Sequence, residues 1–393
     1  MLTHFIKELV QLPAVEMDEP VKREKGWVFP LRFHPDPTCP TCGQKSWRKR
    51  RFTRVLRHGW TSTLGFFYVE VPSERRFCPS CDSTFIRRPP GIPERGSVTE
   101  AFRHFAVSCC HGRSIQSVSR QLRIAYTTLE RWFYDDLAPV ESPPARRVGV
   151  DDFALRKGHS YGVCTLDLDT KQVLGVCEGR KETDIRGLLQ RTAQQAQVVV
   201  SDAAPAMSKA IQNACPQARH VLDRFHLIQF FTDSMKQRRK MTSLGRSPHG
   251  ETRHALRLLT TKPEGLTDEE RREVGERLRV DEALKGRYQA LQHFRYVLKS
   301  PVLSVARQRL DAWLKRFSFH PISAVRRLVK TVSARKEGVL AAAVCPESNG
   351  PLEGINTKVK LLKRRAYGYR NLAHFMHRIR LETGQASVKD NLW

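Results

Sequence analysis

Between residues 146 and 223 the chain alternates short apolar runs with stretches of helical periodicity. The apolar runs are bounded by turn residues or carboxylates and have the length of strands. The stretches between them place apolar residues three and four positions apart, as in Ile185, Leu188 and Leu189, which is typical of amphipathic helices. We therefore predict strands over residues 147–152, 159–168, 172–177, 197–200 and 218–222, and helices over residues 183–195 and 203–214.

Acidic residues stand at the ends of two of these predicted strands. Asp151 and Asp152 end the first strand, and Asp202 closely follows the fourth. The order of three strands, a helix, a strand, a helix and a strand, with Asp at those two ends, is that of a ribonuclease H-like α/β fold. Because adjacent residues of a strand point to opposite faces, only one of Asp151 and Asp152 can join Asp202 in a cluster.

Paired carboxylates of this kind predict a divalent-metal site. A third carboxylate from a later helix would complete a cluster that binds two Mg²⁺ or Mn²⁺ ions, with open positions for phosphate and water. One ion would activate the nucleophile, and the other would stabilise the leaving oxygen. Without a cation the carboxylates would repel each other, which favours the metal-bound interpretation.

The long segment over residues 241–345 has helical periodicity. Thr267 and Glu270 have the spacing of a capping box, and Ala306, Leu310 and Trp313 recur at helical intervals. The segment predicts an all-α insertion into the catalytic domain, whose two parts would be residues 146–240 and 346–393. The basic faces of these helices could touch DNA or a second subunit, or lie in solvent.

Residues 91–140 carry the pattern of a helix-turn-helix domain. Ser114 can cap a helix whose apolar positions recur up to Leu122, and a three-residue turn leads into another helix. The second helix would present Thr127, Thr128 and Arg131 to the major groove of DNA. An ordinary helical hairpin would give the same pattern.

Composition adds a strong positive charge. The 393 residues carry 68 Lys and Arg against 40 Asp and Glu, which gives a formal net charge of +28. A surplus of this size predicts a polyanionic partner, with nucleic acid ahead of an anionic membrane surface. No apolar run approaches the ~18 residues of a membrane span. Residues 1–12 predict a short amphipathic helix within an amino-terminal arm (residues 1–29) and lack a secretory signal, so we expect a cytoplasmic protein.

Four of the ten cysteines form two Cys-x-x-Cys pairs within residues 30–90: Cys39 with Cys42, and Cys78 with Cys81. Two such turns can supply the four thiolates of a closed, structural Zn²⁺ site. Strand-like residues 64–71 between the pairs predict a small β-ribbon. The other six cysteines lack ligand spacing and are expected to be small core residues.

A basic run lies between the cysteine pairs. It includes Arg48, Lys49, Arg50 and Arg51, with aromatic residues interleaved. A run of charge is often only a solvated face, but a zinc scaffold would fix its direction, so we expect contacts with DNA phosphates.

Three segments resemble the ISL3 family of insertion-sequence transposases. They are V-G-V-D-D-F-A-L-R-K-G-H-S-Y (residues 148–161), D-R-F-H (residues 223–226) and S-N-G-P-L-E-G-I-N-T-K-V-K-L-L-K-R-R-A-Y-G-Y (residues 348–369). The resemblance covers nearly the whole chain. It implies a zinc-binding amino terminus, a helix-turn-helix and a catalytic domain of the DDE type, and so a multidomain α+β protein that moves an element with terminal inverted repeats.

The resemblance also implies which carboxylates form the catalytic triad. The family pattern selects Asp151 over Asp152, and it adds Asp202 and Glu353. Glu347 is a rival of Glu353, but it lies on a different helical face. Asn356, Thr357, Lys360 and Arg364 share the face of Glu353, and the two basic residues are expected to contact DNA.

Asp223 and His226 form an Asp-x-x-His pair like one found in related transposases. The pair could position the active site or flanking DNA, or it could be a buried hydrogen-bonded pair that caps a helix, where Asp is favoured. The residues leave both interpretations open.

The function expected from these patterns is DNA transposition by strand cleavage and strand transfer. The protein would act in the bacterial cytoplasm on the nucleoid, as a homodimer or higher oligomer bound to double-stranded DNA. The alternative is a catalytically silent, transposase-derived DNA-binding regulator, against which an intact triad argues. A ribonuclease H-like nuclease would not need two DNA-binding modules.

Overall fold

A computed structural model describes residues 10, 12, 15–63, 65–136, 144–156, 158–242 and 249–383, with the side chains of residues 238–242 and 249–252 not described. The chain forms two compact units. The first comprises residues 1–140, 363–377 and 386–393, and the second comprises residues 141–362 and 378–385. In the described ranges, no helix is long and apolar enough to cross a membrane.

The chain is a mixed α/β protein. Its strands are β1 (Glu16–Met17), β2 (Val21–Arg23), β3 (Gly26–Arg32), β4 (Trp47–Thr61), β5 (Gly65–Cys78), β6 (Ser83–Arg87), β7 (Arg147–Arg156), β8 (Ser160–Asp167), β9 (Val173–Glu178), β10 (Val198–Ser201) and β11 (Arg219–Leu222).

The described helices are α1 (Glu100–Ser108), α2 (Ile115–Leu122), α3 (Tyr126–Asp136), α4 (Glu182–Thr192), α5 (Pro205–Ala214), α6 (Arg224–Thr242), α7 (His249–Thr260), α8 (Asp268–Val280), α9 (Glu282–Leu298), α10 (Leu303–Phe317), α11 (Ser323–Ser333), α12 (Lys336–Val344), α13 (Gly350–Arg365) and α14 (Leu372–Thr383).

A six-stranded sheet dominates the first unit. Its order is β1-β3-β5-β4, with β2 paired to β3 and β6 paired to β5. The long strands β4 and β5 form an antiparallel ribbon, and one face buries Phe29, Leu56 and Val69 in an apolar core. The predicted β-ribbon is present, although Leu64 lies outside the described residues.

The amino-terminal arm predicted over residues 1–29 differs from the structure. Residues 15–29 supply β1, β2 and the start of β3, so the boundary predicted at residue 30 falls inside a strand. The first two strands have two and three residues, too few to show a period. The helix predicted over residues 1–12 lies outside the described residues except for Val10 and Leu12, both buried in the sheet's core.

The predicted helix-turn-helix is confirmed in helices α2 and α3. The Ser114 side chain caps α2 by accepting a hydrogen bond from the Ser117 N–H. Arg123 ends α2 in the left-handed conformation, with φ of 48°. Leu122 and Phe133 are fully buried between the helices.

A five-stranded sheet in the order β11-β10-β7-β8-β9 forms the centre of the second unit. Strands β7, β10 and β11 are parallel, and β8 is antiparallel to both β7 and β9. Helices α4 and α5 pack on one face, where Leu188 and Ile211 meet Val150 and Val199. Every strand and helix predicted over residues 147–222 is present, with shifted ends.

Strand β7 continues four residues past its predicted end. Antiparallel pairing with β8 runs as far as Arg156, whereas parallel pairing with β10 stops at Val150. Asp151 and Asp152 therefore lie inside β7, next to the end of β10. The sequence could not show this, because the continuation depends on the partner strand.

The predicted helical insertion is also present. Helices α7 to α12 follow α6, whose Phe231 stacks on Phe294 of α9, and Trp313 of α10 contacts the Phe294 ring edge-on. Thr267 and Glu270 form the predicted capping box. After the insertion the chain returns to the sheet, where α13 packs so close to β7 that a Cβ at Gly149 would lie 2.6 Å from Leu352.

Candidate active site and DNA interface

Three aspartates lie at one level across neighbouring parallel strands. Ser201 of β10 pairs with Val150 of β7 and with Leu222 of β11. The next residue of each strand is Asp151, Asp202 or Asp223. Neighbouring strands are about 4.8 Å apart, so the register places the backbones of Asp151 and Asp202 side by side.

Asp151 and Asp152 point to opposite faces of β7. Asp152 lies on the side of Val148 and Val150, which pack under α4 and α5. Asp151 lies on the side of Gly149, where α13 packs. The strand's alternation thus directs Asp151 toward the helix that carries Glu353.

Asn356 of α13 fixes the position of Asp151. Its amide nitrogen donates to Asp151 Oδ2 at 2.9 Å and to the Asp152 carbonyl at 3.3 Å. The Asp152 N–H donates to Asp151 Oδ1 at 2.9 Å. The Asn356 Oδ1 atom is buried and has no hydrogen-bond partner among the described residues, so it is an additional oxygen donor beside the carboxylate.

Asp152 lies beside a cation, whereas Asp151 lies beside the Asn356 amide. Its Oδ2 lies 3.7 Å from Arg180 Nη1, and the Arg180 guanidinium lies 3.9 Å from the centre of the Tyr161 ring. Sequence reasoning did not identify Arg180, because it follows Asp152 by 28 positions and belongs to no motif.

The Asp223–His226 pair is hydrogen-bonded, with Asp223 buried and His226 partly buried. His226 Nδ1 lies 3.1 Å from Asp223 Oδ2, and the Asn349 N–H donates to Asp223 Oδ1 at 3.3 Å. The Asn349 side chain donates to the Val150 carbonyl at 3.0 Å. Through Asn349, the pair connects the ends of β7 and β11 to the start of α13.

The electrostatics of the site favour a bound cation. Burial raises the pKa of Asp151 to about 6, and the charges of Asp152 and Asp202 add to this rise. Burial, followed by the charge of Asp202, also raises the pKa of Asp152. The hydrogen bond to Asp223 raises the pKa of His226. Burial alone would raise the pKa of Asp223, but hydrogen bonds from His226 and the Asn349 backbone hold it below its ordinary value.

The third predicted carboxylate, Glu353, lies on α13, the helix that also carries Asn356. Glu353 lies in the first turn of α13 and is exposed. Among the described residues, Asp151, Asp202 and Glu353 do not gather their oxygens within 4.8 Å of one another, as the cysteine cluster does with its sulfurs. Repulsion between like charges opposes such close approach when no cation is present.

Glu347 is held elsewhere. It lies 3.6 Å from Arg147 at the start of β7. Asp151 is four positions further along β7 than Arg147, which corresponds to about 13 Å along a strand. Glu347 therefore lies beside the start of β7, whereas the aspartates lie in its middle.

The four paired cysteines form a cluster that can bind zinc. Cys39, Cys42, Cys78 and Cys81 bring their sulfurs within 4.8 Å of one another, with distances of 3.9 Å between Cys39 and Cys81 and 3.5 Å between Cys42 and Cys78. Four thiolates around a tetrahedral Zn²⁺ would be about 3.8 Å apart, given a Zn–S bond of about 2.3 Å. The Cys42 and Thr41 backbone N–H groups lower the pKa of Cys39 to about 6, as suits a thiolate ligand.

The remaining cysteines are packed in the fold. Four of them are buried: Cys110, Cys164, Cys215 and Cys345. Cys109 and Cys177 are partly buried.

The basic run on β4 divides into two groups. A β-bulge between Arg48 and Arg50 brings Arg48 and Arg51 to the same buried carboxylate, Glu74, at 3.5 and 3.0 Å. Arg50 is exposed. The Lys49 ammonium lies 4.5 Å from the centre of the Phe77 ring. Two of the four predicted DNA contacts therefore also support the zinc module.

The next arginine along β4 on the same side joins this module to the helix-turn-helix. Arg57 Nη1 donates to the Leu122 carbonyl at 2.9 Å and to the Arg123 carbonyl at 3.3 Å, at the end of α2. Its guanidinium also lies 4.5 Å from the centre of the Phe66 ring. The two predicted DNA-binding modules are thus packed together within the first unit.

The other predicted DNA contacts lie mostly at the surface. Thr127 and Arg131 of α3 are exposed, whereas Thr128 is partly buried. Lys360 and Arg364 of α13 are exposed.

Comparison with known proteins adds an independent finding. Residues 148–379, more than half of the chain, match the model of a family described as a transposase, and residues 88–136 match the helix-turn-helix domain of transposase family ISL3. The transposase for insertion sequence element IS1001 of Bordetella parapertussis is 26% identical over 360 residues, with 87% of each chain covered. The transposase for insertion sequence element IS1557 of Mycobacterium tuberculosis is 24% identical over 375 residues, which cover 85% of this chain and 82% of the relative.

Proposed function

The chain belongs to the ISL3 family of transposases, and on that premise we propose that it binds the terminal inverted repeats of an insertion sequence, cuts the DNA and transfers the strand. The observation that carries the proposal is the register of β7 and β10, which sets Asp151 and Asp202 side by side within the segment that matches the transposase family.

A ribonuclease H-like catalytic domain is part of this proposal. In support, the second unit has five strands in the order β11-β10-β7-β8-β9, with β8 antiparallel to its neighbours and the carboxylates on the central parallel strands. Helices α4 and α5 cover one face, and α13 packs on the other. Helices α7 to α12 form the insertion between Asp202 and Glu353.

Asp151, Asp202 and Glu353 are the residues that would hold the divalent ions. Their oxygens are the donors that Mg²⁺ and Mn²⁺ prefer, and the buried Asn356 Oδ1 atom offers a further one. Two such ions supply an activated water or 3′-OH and stabilise the leaving oxygen of a phosphodiester. Glu353 would reach the cluster from α13, one helical turn before Asn356, when a cation offsets the repulsion between the carboxylates.

The chain's own residues prepare the site for this chemistry. Asn356 orients the Asp151 carboxylate. Asn349 and the Asp223–His226 pair hold the end of β11 and the start of α13 in place, so we assign Asp223 and His226 a positioning role. Asp152 faces α4 and α5, and Glu347 lies beside Arg147, so neither is assigned to the triad.

DNA recognition is assigned to the first unit. The zinc module would bind phosphates through Lys49 and Arg50, with Arg48 and Arg51 shared between DNA and Glu74. Helix α3 would read bases through Thr127 and Arg131. Zn²⁺ bound by the four cysteines would be structural, since four thiolates leave no open position for a substrate. Assembly as a homodimer on paired element ends, in the cytoplasm, completes the proposal.

The decisive test is cleavage of a labelled duplex that carries the DNA flanking the gene, in Mg²⁺. Asp151→Asn, Asp202→Asn and Glu353→Gln each remove a charged ligand with little change of shape, so cleavage should fall by roughly 100-fold or more. Asp152→Asn and Glu347→Gln are the matched controls and should cut within about threefold of the parent.

The possible outcomes separate the alternatives. If Asp152→Asn is inactive and Asp151→Asn is active, the triad is misassigned on β7. If all five variants cut as the parent does, the catalytic site lies elsewhere. If the parent binds the duplex but never cuts it, the protein is a DNA-binding regulator.

A further inference from the structure

Arg180 is a partly exposed cation at the edge of the carboxylate site. It follows β9, and its side chain is 58% exposed. One side of the guanidinium covers the Tyr161 ring at 3.9 Å, and one nitrogen lies 3.7 Å from Asp152 Oδ2. Neither the triad nor the DNA-reading modules account for this residue.

We propose that Arg180 binds a backbone phosphate of the DNA strand that enters the site, with Tyr161 as the platform that orients its guanidinium. The inference rests on the proposed function, because it takes DNA as the substrate of the carboxylate cluster.

The backbone around Arg180 is fixed from both sides. The Gly179 N–H donates to the Tyr161 carbonyl at 2.9 Å, which sets the following residue beside the Tyr161 ring. Gly179 has φ of 88°, and a Cβ there would lie 2.1 Å from Asp184 Oδ2. On the other side, Lys181 precedes the first residue of α4, and its N–H donates to Asp184 Oδ2 at 3.1 Å. Such anchoring reduces the entropy lost when the side chain binds a ligand.

The chemistry of the arrangement favours a phosphate. A guanidinium has five N–H donors in a planar fork that matches two oxygens of a phosphate. The ring covers one face of this fork, and the ion pair with Asp152 lies at one nitrogen, so exposed edges remain for a ligand. Asp152 follows Asp151 in β7, and the register of β7 with β10 sets Asp202 beside them, so Arg180 lies beside the expected path of the DNA.

The proposed path of the DNA also calls for a positively charged side chain beside the aspartates. The aspartates repel a phosphodiester, and their metal ions would offset that repulsion only at the phosphate being cut. Arg180 would offset it at a neighbouring phosphate. An ion pair as exposed as Arg180–Asp152 adds little stability by itself, so stabilising Asp152 is a weak reason for this arrangement.

The test compares the full-length parent, Arg180→Ala, Arg180→Lys and the control Arg186→Ala in binding the flanking-DNA duplex. Arg186 lies on the neighbouring helix α4 and forms only a surface pair with Glu182 at 3.8 Å. Arg180→Ala should weaken binding about 10- to 100-fold, as loss of a charged hydrogen bond does, and lower the slope of log affinity against log salt by about one. Arg180→Lys should fall in between, and Arg186→Ala should match the parent.

Neutral methylphosphonate linkages, introduced one at a time, locate the contact. At one linkage, the parent's affinity for DNA should fall as much as the Arg180→Ala substitution lowers it on unmodified DNA. The affinity of Arg180→Ala itself should not fall further at that linkage. Thermal melting of each variant confirms that it is folded. The inference is overturned if every linkage affects the parent and Arg180→Ala alike.

The Asp152→Asn background distinguishes an Arg180 that binds phosphate from an Arg180 that only pairs with Asp152. If Arg180 only neutralises Asp152, the effect of Arg180→Ala on binding should vanish in that background, which would also overturn the inference. If Arg180 binds phosphate, the effect should persist. These readouts need binding but no cleavage, so a parent that binds without cutting would disprove the proposed catalysis and still test Arg180.

Discussion

At the scale of single residues, the site is defined by a partly buried carboxylate that resists ionisation. Burial and neighbouring aspartates raise the pKa of Asp151 from 3.8 to about 6, while Asn356 and the Asp152 N–H hold its two oxygens in place. A carboxylate kept in position at such a cost is suited to a cation that restores its charged form.

This electrostatic cost predicts the behaviour of Asp151→Asn. The folded pKa lies above the unfolded one, so Asp151 stabilises the fold below about pH 4 and loses that contribution as pH rises through about 6. At pH 7.5 without metal, Asp151→Asn should therefore be more stable than the parent, by about 1–2 kcal/mol. Urea unfolding with and without Mg²⁺ checks this.

Adding Mg²⁺ should make the parent more stable than Asp151→Asn, since only the parent retains the Asp151 carboxylate as a metal ligand. Asp152→Asn is the control, because it removes a neighbouring charge from the other face of β7 and should keep its response to Mg²⁺. An Asp151→Asn variant that is less stable than the parent without metal would contradict this account.

At the scale of elements, strand β4 carries structural contacts and residues that we propose to bind DNA in consecutive positions. The bulge after Arg48 brings Arg51 to the buried Glu74, whereas Arg50, exposed like Arg51, has no ion pair among the described residues. Further along the same strand, Arg57 holds the end of α2. The arginines of this basic run look alike in the sequence, but they differ in whether they make contacts within the protein.

Arg50→Ala and Arg51→Ala form a matched pair that tests this division. Arg50→Ala should lower DNA affinity and reduce the salt slope by about one, with the free energy of unfolding changed by less than about 0.5 kcal/mol. Arg51→Ala removes a partner of Glu74 and should cost about 1 kcal/mol of stability. Fluorescence anisotropy and urea denaturation measure the two effects, and equal losses from both variants in both assays would refute the division.

At the scale of the molecule, two units have separate cores and separate proposed duties. The cysteine cluster belongs to the first unit, whose sheet core contains Phe29 and Val69. The carboxylates belong to the second, whose cores contain Val150 and the stacked Phe231 and Phe294. The net charge of +28 suits a polyanionic partner and does not determine the fold.

Removal of zinc should therefore affect one unit more than the other. The purified chain should contain about one zinc, and a chelator or the double variant Cys39→Ser with Cys42→Ser should remove it. In calorimetry the transition of the first unit should move to lower temperature, while that of the second unit stays in place. Cys109→Ser, outside the cluster, should keep the metal, and zinc retained by the double variant would disprove the ligand set.

The sequence alone determined the order of strands and helices over residues 147–222, the positions of Asp151 and Asp202 beside paired strands, and the two cysteine pairs. These features depend on local patterns: the period of apolar residues, the caps of helices and the spacing of ligands within a turn. The resemblance added Glu353.

Only the tertiary structure decided which polar residues meet. Asn356 reaches Asp151 across 205 positions of the chain, and the Asn349 side chain reaches the Val150 carbonyl across 199. Arg180 lies beside Asp152 because β8 and β9 bring it back to β7, and Arg51 meets Glu74 because of a bulge. Such contacts depend on strand register and on how α13 packs against the sheet, and no local pattern in the sequence records either one.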